Sequence, residues 1–405
     1  MPIEHYLPHK SHLLNQRYYS LDVFRGATVA LMILVNNPGT WGHIFSPLKH
    51  APWHGCTPTD LVFPFFLFAV GNALAFVMPR LEAGGDFLFW RKILKRSLII
   101  FLIGLFLNWY PFVRWDGDQL VGRGWEYATS KGEVIGVRIL GVLQRIALCY
   151  LFASIIIYYF KLRGAMLISF IILTGYWFLC FWLGDSNDPY SMTGFFGNDV
   201  DRAVLGTAHL YRGEGVPFDP EGIMSTLPAI VQVIMGYMVG NYIQQKGKTY
   251  EMLANLFVAA AILIFAGFCW DLVFPINKKI WTSSYVLYTS GLAIMILSIA
   301  IYLIEFKNVR GWWSRFFDVF GKNALFVFAL SAFLPKTLSL IRIPDHVNEK
   351  GQMIYTNPWS CLYQKVLINI PGAPEIGSFL YALCVIIFMW AICYWMDKKR
   401  IYIKV

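Results

Sequence analysis

Runs of about 20 apolar residues recur along this chain, and a helix of that length crosses the roughly 30 Å hydrocarbon core of a bilayer. Ten such runs are found, at 20–41, 59–79, 93–112, 136–160, 164–183, 223–243, 251–273, 283–304, 316–337 and 375–396. Hydrocarbon offers no partner to a backbone N–H or C=O, so a spanning segment of this kind has to be helical. The expected fold is therefore all-α: a polytopic membrane helix bundle of about ten transmembrane helices, one domain over residues 1–405. An even number of spans puts both termini on one side. Charged residues make up only 14% of the chain, against about a quarter in soluble proteins. This excludes an ordinary soluble enzyme and a disordered chain. The 33 Phe, 22 Tyr and 15 Trp suit interfacial aromatic belts.

The formal charge of +10 does not indicate a nucleic-acid partner, because the basic residues are scattered between apolar runs. They orient the bundle instead. With the N-terminus inside, the inside segments carry 19 Lys and Arg in short turns, and the longer outside segments carry 13. The positive-inside rule then places both termini in the cytoplasm. Segments 42–58, 113–135, 184–222 and 338–374 become the elaborated extracytoplasmic surface, where function is expected. No cleavage site follows the first apolar run, so the first span is expected to stay in the mature protein. Cys149, Cys180, Cys269, Cys384 and Cys393 lie within apolar runs and read as small buried hydrophobes. With Cys56 and Cys361 in loops and no CxxC, neither a disulfide framework nor a zinc site is expected.

The polar residues that interrupt this pattern carry the chemistry. Asp22 and Arg25 stand three apart, on one face of the first span, and read as an ion pair at its inner end. Asn36 and Asn37 fall in its outer half, where an amide serves either a helix–helix hydrogen bond or a reacting carbonyl. A loop with His43, His50 and His54 follows. The spacings of seven and four do not gather the three imidazoles on one helix face, so one histidine as general base is preferred to a metal site. Thr57-Pro58-Thr59-Asp60 then reads as a helix start with Asp60 as a cap, beside His50 and His54.

Further along, Arg145 with Gln144 sits deep in the fourth run, where a charge needs an acid partner or a watery cavity. Lys322 and Asn323 interrupt the ninth run. Asp219 and Glu221 flank Pro220 at the outer start of the sixth, either capping it or facing a ligand. Asn277, Lys278, Lys279 and Trp281 form another outer cluster, with Trp281 either an interfacial anchor or a sugar-stacking face. Gly26, Gly71, Gly104 and Gly141 suit close helix packing. No phosphate loop, dinucleotide glycine pattern or GxSxG occurs in the required strand–turn–helix context.

In order along the chain, LDVFRG, VNN, KHAPWHG, TPTDLVFPFFLF, GVLQRIA, FDPEG, PINKKIWTSSYV and FGKNALF form a set. It resembles the heparan-alpha-glucosaminide N-acetyltransferase family over most of the chain. The likeness is to the bacterial branch, since no large luminal domain precedes the first shared span. The resemblance implies a transmembrane acetyltransferase that uses cytosolic acetyl-CoA and acetylates an amino sugar across the membrane. It puts the active histidine at His50 and the family's polar asparagine at Asn36. His54 stands where the lysosomal branch has an amide, so a second imidazole is available to the site.

On this reading Arg145, Gln144, Lys322 and Asn323 contact acetyl-CoA. His54, Asp60, Asp219, Glu221, Asn277 and Trp281 hold the sugar, and no metal takes part. Direct transfer and an acetyl-histidine intermediate both remain open. The expected setting is a bacterial inner (plasma) membrane with the histidine on the extracytoplasmic side, the bilayer as partner and a homodimer as one admissible assembly. The rival readings are a transporter of a sugar or lipid-linked sugar, and an O-acyltransferase acting on a cell-envelope glycan.

Overall fold

A computed structural model describes residues 18–129, 132–347, 351 and 353–403. Twelve α-helices are found among them. These are α1 (Tyr19–Asn36), α2 (Val62–Ala83), α3 (Gly85–Trp109), α4 (Val142–Leu183), α5 (Gly197–Leu205) and α6 (Ile223–Lys246). Then come α7 (Tyr250–Asp271), α8 (Ser283–Ile301), α9 (Trp312–Lys322), α10 (Ala324–Leu338), α11 (Pro358–Lys365) and α12 (Pro374–Lys398). Seven helices are long and apolar enough to cross a membrane, or eight if the bent pair α9 and α10 counts as one span.

Local chemistry sets the helix starts. The Thr57 and Asp60 side chains close a capping box ahead of α2, with Pro58 in the first turn. Thr249 accepts from the Met252 N–H at the start of α7. Pro374 opens α12 at a position where a missing N–H costs nothing.

Packing then follows the small residues. A Cβ at Gly26 would overlap the Phe317 carbonyl, so α1 and α9 touch backbone to backbone. Gly71 on α2 does the same against Val233 of α6. In hydrocarbon such close approach is a principal source of helix association, because no hydrophobic effect drives it. Gly104 meets the Gln144 side chain, and Gly141 lies beside Asn108 at the mouth of α4.

The structure departs from the ten apolar runs in several places. The runs 136–160 and 164–183 form one helical element, Val142–Leu183, broken at Lys161, where φ is 55°. Residues 136–141 of the first run stay outside the helix, where Ile139 N–H bonds the His209 carbonyl and Arg138 is drawn aside to two carboxylates. The run 93–112 belongs to a helix that starts at Gly85 and carries Arg91, Lys92, Lys95 and Arg96 in its first half. The run 316–337 is bent by 77° between Lys322 and Ala324.

Nor is the molecule purely α. The outer segments fold into antiparallel hairpins: β1 (Val113–Asp116) with β2 (Gln119–Gly122), β3 (Glu126–Ala128) with β4 (Val134–Gly136), and β5 (Ile343–Val347) with β6 (Met353–Thr356). Cys149, Cys180 and Cys393 are buried as expected, but Cys269 and Cys384 are exposed on outward helix faces. An apolar run that faces lipid gives no burial inside the protein. The charges counted at Lys10, Arg17, Lys131, Lys350 and Lys404 lie outside the described residues.

Two polar ends result. At one, Asp86 and Glu82 hold Tyr158 and Lys161, Glu305 binds Ser20 and Lys248, and Asp22 pairs with Arg25 at 3.5 Å. At the other, the long segments interlock: Trp53 donates to the Tyr190 carbonyl, Gly55 to that of Ile276, and Arg342 pairs with Asp118.

Candidate active site

A cavity of about 280 Å³ opens at the end where the long segments meet. Its walls come from the end of α1 (Met32, Asn36), the loop and turn that lead into α2 (His50, Asp60), and α10 (Phe328). The opposite wall holds Arg138, Tyr211, Glu214, Glu221, Lys278, Lys279 and Trp281.

Asp60 organises this space. The capping box fixes one oxygen: Oδ2 accepts from Thr57 N–H at 3.1 Å, Thr57 Oγ1 at 3.0 Å and Ala51 N–H at 3.0 Å. The other oxygen is thereby aimed at His50, with Oδ1 2.6 Å from Nδ1. The carboxyl is almost fully buried while 41% of the His50 side chain is exposed into the opening. Asp60 is an acceptor, so the Nδ1 proton belongs to this bond and Nε2 carries the free lone pair. That is the arrangement of a histidine held as a base by a carboxylate. The Tyr285 hydroxyl donates to the Asp60 carbonyl at 2.6 Å, tying the turn to α8.

Lys278 completes the group, its Nζ 3.4 Å from Asp60 Oδ1 and 3.2 Å from His50 Nδ1. Burial pulls its pKa below the ordinary lysine value in spite of Asp60 and Glu221 nearby. Lys279 pairs with Glu214 at 2.5 Å and donates to the Pro52 carbonyl.

Arg138 forms a second charged group. It grips Asp219 through Nε at 2.9 Å and Nη2 at 2.5 Å, and Nη2 also reaches Glu221. Burial works against the guanidinium charge, but Glu221 and Asp219 outweigh it and raise the pKa. Burial likewise pushes Glu221 up, and Arg138 more than reverses it, so the carboxyl is held low. Behind this group Asp201 accepts from the Ile223 N–H at 2.8 Å, and burial lifts its pKa to about 6.

Of the residues singled out in the sequence, the fold brings Asn36, His50, Asp60, Glu221 and Trp281 to the cavity wall. Asn37 instead bonds the Ile33 carbonyl of its own helix at 2.9 Å, which separates the two amides. Asp219 lies behind Arg138 rather than facing the cavity. His54 turns away to Asn277, 3.3 Å from its Nδ2, and burial lowers the pKa of its imidazole. Asn277 spends its oxygen on the Lys279 and Ile280 N–H groups.

Arg145 is fully buried and has no acid partner among the described residues. Nη2 donates to the Gly222 carbonyl and to Ser225 Oγ, and the guanidinium lies 5.2 Å from the Trp281 ring. The nearby acids Asp219 and Glu221 are taken by Arg138, which is why the expected pair does not form. Gln144 packs under Gly104. Lys322 and Asn323 do not join Arg145. Lys322 pairs with Asp318 at 2.7 Å and Asp397 at 3.1 Å, and Asn323 bonds Ile401 and Ile403, fastening the end of α12 beside the start of α1. Among the described residues no three His, Cys, Asp or Glu side chains gather as a metal site.

Sequence reasoning gave no role to Arg138, Tyr211, Glu214 or Trp53, which all line the cavity. Arg138 was legible only as a loop cation, although FDPEG supplies both its carboxylates.

The fold and site thus define a helical bundle of the membrane-spanning kind with a carboxylate-held histidine opening on a cavity at one end. The chain is 27% identical to human heparan-alpha-glucosaminide N-acetyltransferase over 369 residues, 78% of this chain and 52% of that protein. It is 26% identical to the mouse enzyme of the same name over 377 residues, 80% of this chain and 54% of that protein. No family model matches. The chain spans about half the length of these curated relatives. The chain is thus distantly similar to heparan-alpha-glucosaminide N-acetyltransferases along most of its length.

Proposed function

We propose that this chain is a transmembrane acetyltransferase that moves an acetyl group from cytoplasmic acetyl-CoA to the amine of an extracytoplasmic amino sugar of the glucosamine type. The observation that carries the reading is the His50–Asp60 pair on a cavity that Asn36 also lines. His50 Nε2 takes a proton from the amine as its nitrogen attacks the thioester carbonyl. The C–N bond forms, the C–S bond breaks, and the CoA thiolate takes up the proton that His50 removed and leaves toward the cytoplasm as the thiol. The Asn36 amide donates to the oxygen where negative charge develops. Asp60 keeps the imidazole in the tautomer with Nε2 free and steadies the imidazolium.

The topology supporting this has ten spans and both termini in the cytoplasm. It adds α3, and the two arms of α4 on either side of Lys161, to the helices already long enough to cross. The membrane is the bacterial inner membrane. Glu221 and Trp281 face the sugar, whereas His54, Asp219 and Asn277 shape the wall from behind.

The test uses protein in liposomes with labelled acetyl-CoA and glucosamine. Wild type is expected to form N-acetylglucosamine, and His50→Ala to lose about 10²–10⁴-fold in rate while keeping its fold. Full activity in His50→Ala would overturn the base. Failure of wild type to bind acetyl-CoA or acetylate any amine, with uptake of a sugar instead, would favour transport.

A further inference from the structure

We propose that Lys278 is a positioning residue that keeps His50 uncharged, and so competent as a base, at neutral pH. The inference rests on the general-base reading of His50 and goes beyond it. A histidine hydrogen-bonded to a buried carboxylate is drawn toward its charged form, because the carboxylate stabilises an imidazolium. A charged ring has no lone pair at Nε2 and accepts nothing. Lys278 lies where it cancels that pull. Its ammonium sits 3.4 Å from the same Asp60 oxygen that His50 uses and 3.2 Å from His50 Nδ1 itself.

The aim of Asp60 does not depend on Lys278. Three donors, from Ala51 and Thr57, hold Oδ2, and Tyr285 holds the backbone. Removal of the ammonium therefore changes the charge at the pair and leaves its geometry. The charged and titratable groups around it come from several elements. Asp60 stands at the turn into α2, and Cys56 in the loop before it, with its thiol pushed up to about 12 by burial and by Asp60. Lys278 stands in the loop between α7 and α8, and Glu221 faces Lys278 from the turn before α6. Lys279 is neutralised by Glu214 and Arg138 by Asp219 and Glu221. Among the described residues Lys278 is thus the cation that touches the pair directly.

The experiment compares wild type, Lys278→Met and Lys278→Arg in two readouts over pH 5 to 9. One is the rate of acetyl transfer. The other is the rate at which diethyl pyrocarbonate modifies His50, followed by peptide mass spectrometry, which reports the neutral imidazole without turnover. Lys278→Met is expected to move the acid limb of both profiles upward by about one to two pH units, the usual effect of removing an adjacent charge, with the plateau at high pH retained. Lys278→Arg is expected to restore the limb. Overlapping wild-type and Lys278→Met profiles would overturn the proposal. So would a uniform loss at every pH, which marks a merely structural role. If Lys278→Met does not fold, Lys278→Gln supplies the neutral side chain. Should wild type transfer no acetyl group, the acetyltransferase reading fails, and the modification profile still decides the role of Lys278.

Discussion

Replacing Arg138 with Met strands two carboxylates. Asp219 has no exposed side-chain surface and 11% of the Glu221 side chain is exposed, so neither recovers much hydration. Removal of one partner from a buried ion pair costs about 3–5 kcal/mol, because the remaining charge stays desolvated. Since 23% of the Arg138 side chain is exposed, the lower end, about 3 kcal/mol, is expected. The assay is unfolding in mixed micelles followed by tryptophan fluorescence. The sign of the pH dependence sharpens it. In wild type the Glu221 carboxyl is held low, so its contribution is present above its unfolded value and lost as pH falls through the folded value. In Arg138→Met burial still raises it and only the more distant charges of Arg145 and Lys278 hold it down, so the loss of stability on acidification should shrink or reverse. Adding Asp219→Asn and Glu221→Gln should recover most of the loss. A loss below about 1 kcal/mol, the size of an exposed pair, with unchanged pH dependence would refute this account of the loop.

Three further outcomes follow from the same geometry. Asp60→Asn removes the charge that holds His50 and weakens the capping box, so acetyl transfer should fall by at least about 10²-fold while binding of acetyl-CoA, read by calorimetry, persists. Gly71→Val places a side chain against the Val233 carbonyl where α2 meets α6; a cost of about 1–3 kcal/mol in the micelle assay is expected, with Gly175→Val, where nothing lies near, as the neutral control. Asp201, lifted to about 6 from the ordinary value of 3.8 by burial, is unfavourable when charged. Its penalty is present above pH 6 and disappears as pH falls toward 3.8. Asp201→Asn should therefore stabilise the protein at pH 7 and flatten that part of its pH dependence, as shown by melting curves at pH 5 and 7.

Much of the site was legible because its parts are local. Thr57, Pro58 and Asp60 are a helix start in any context, and His50 lies ten residues before the carboxylate that binds it. What was illegible is long-range. Arg138 meets Asp219 across 81 residues and Lys278 meets His50 across 228. No spacing rule reaches that far, and the family likeness named only the local pieces. The same limit explains Lys322, which resembles Arg145 as an interruption of an apolar run but binds Asp318 and Asp397 at the other end of the bundle.

By itself, the sequence determined that the long apolar runs form helices suited to crossing a membrane, since in hydrocarbon every backbone N–H and C=O has to be paired within the segment. It also determined where most of them begin and the local turn that aims Asp60. Only the tertiary structure decided which polar residues face the cavity and which are consumed in holding its walls. Asn36 and Asn37, or His50 and His54, are equivalent as letters. Their fates divide because one of each pair lines the cavity, while Asn37 spends its amide on the Ile33 carbonyl and His54 meets Asn277. That choice is made by helix rotation and loop packing, which depend on side-chain contacts among distant segments.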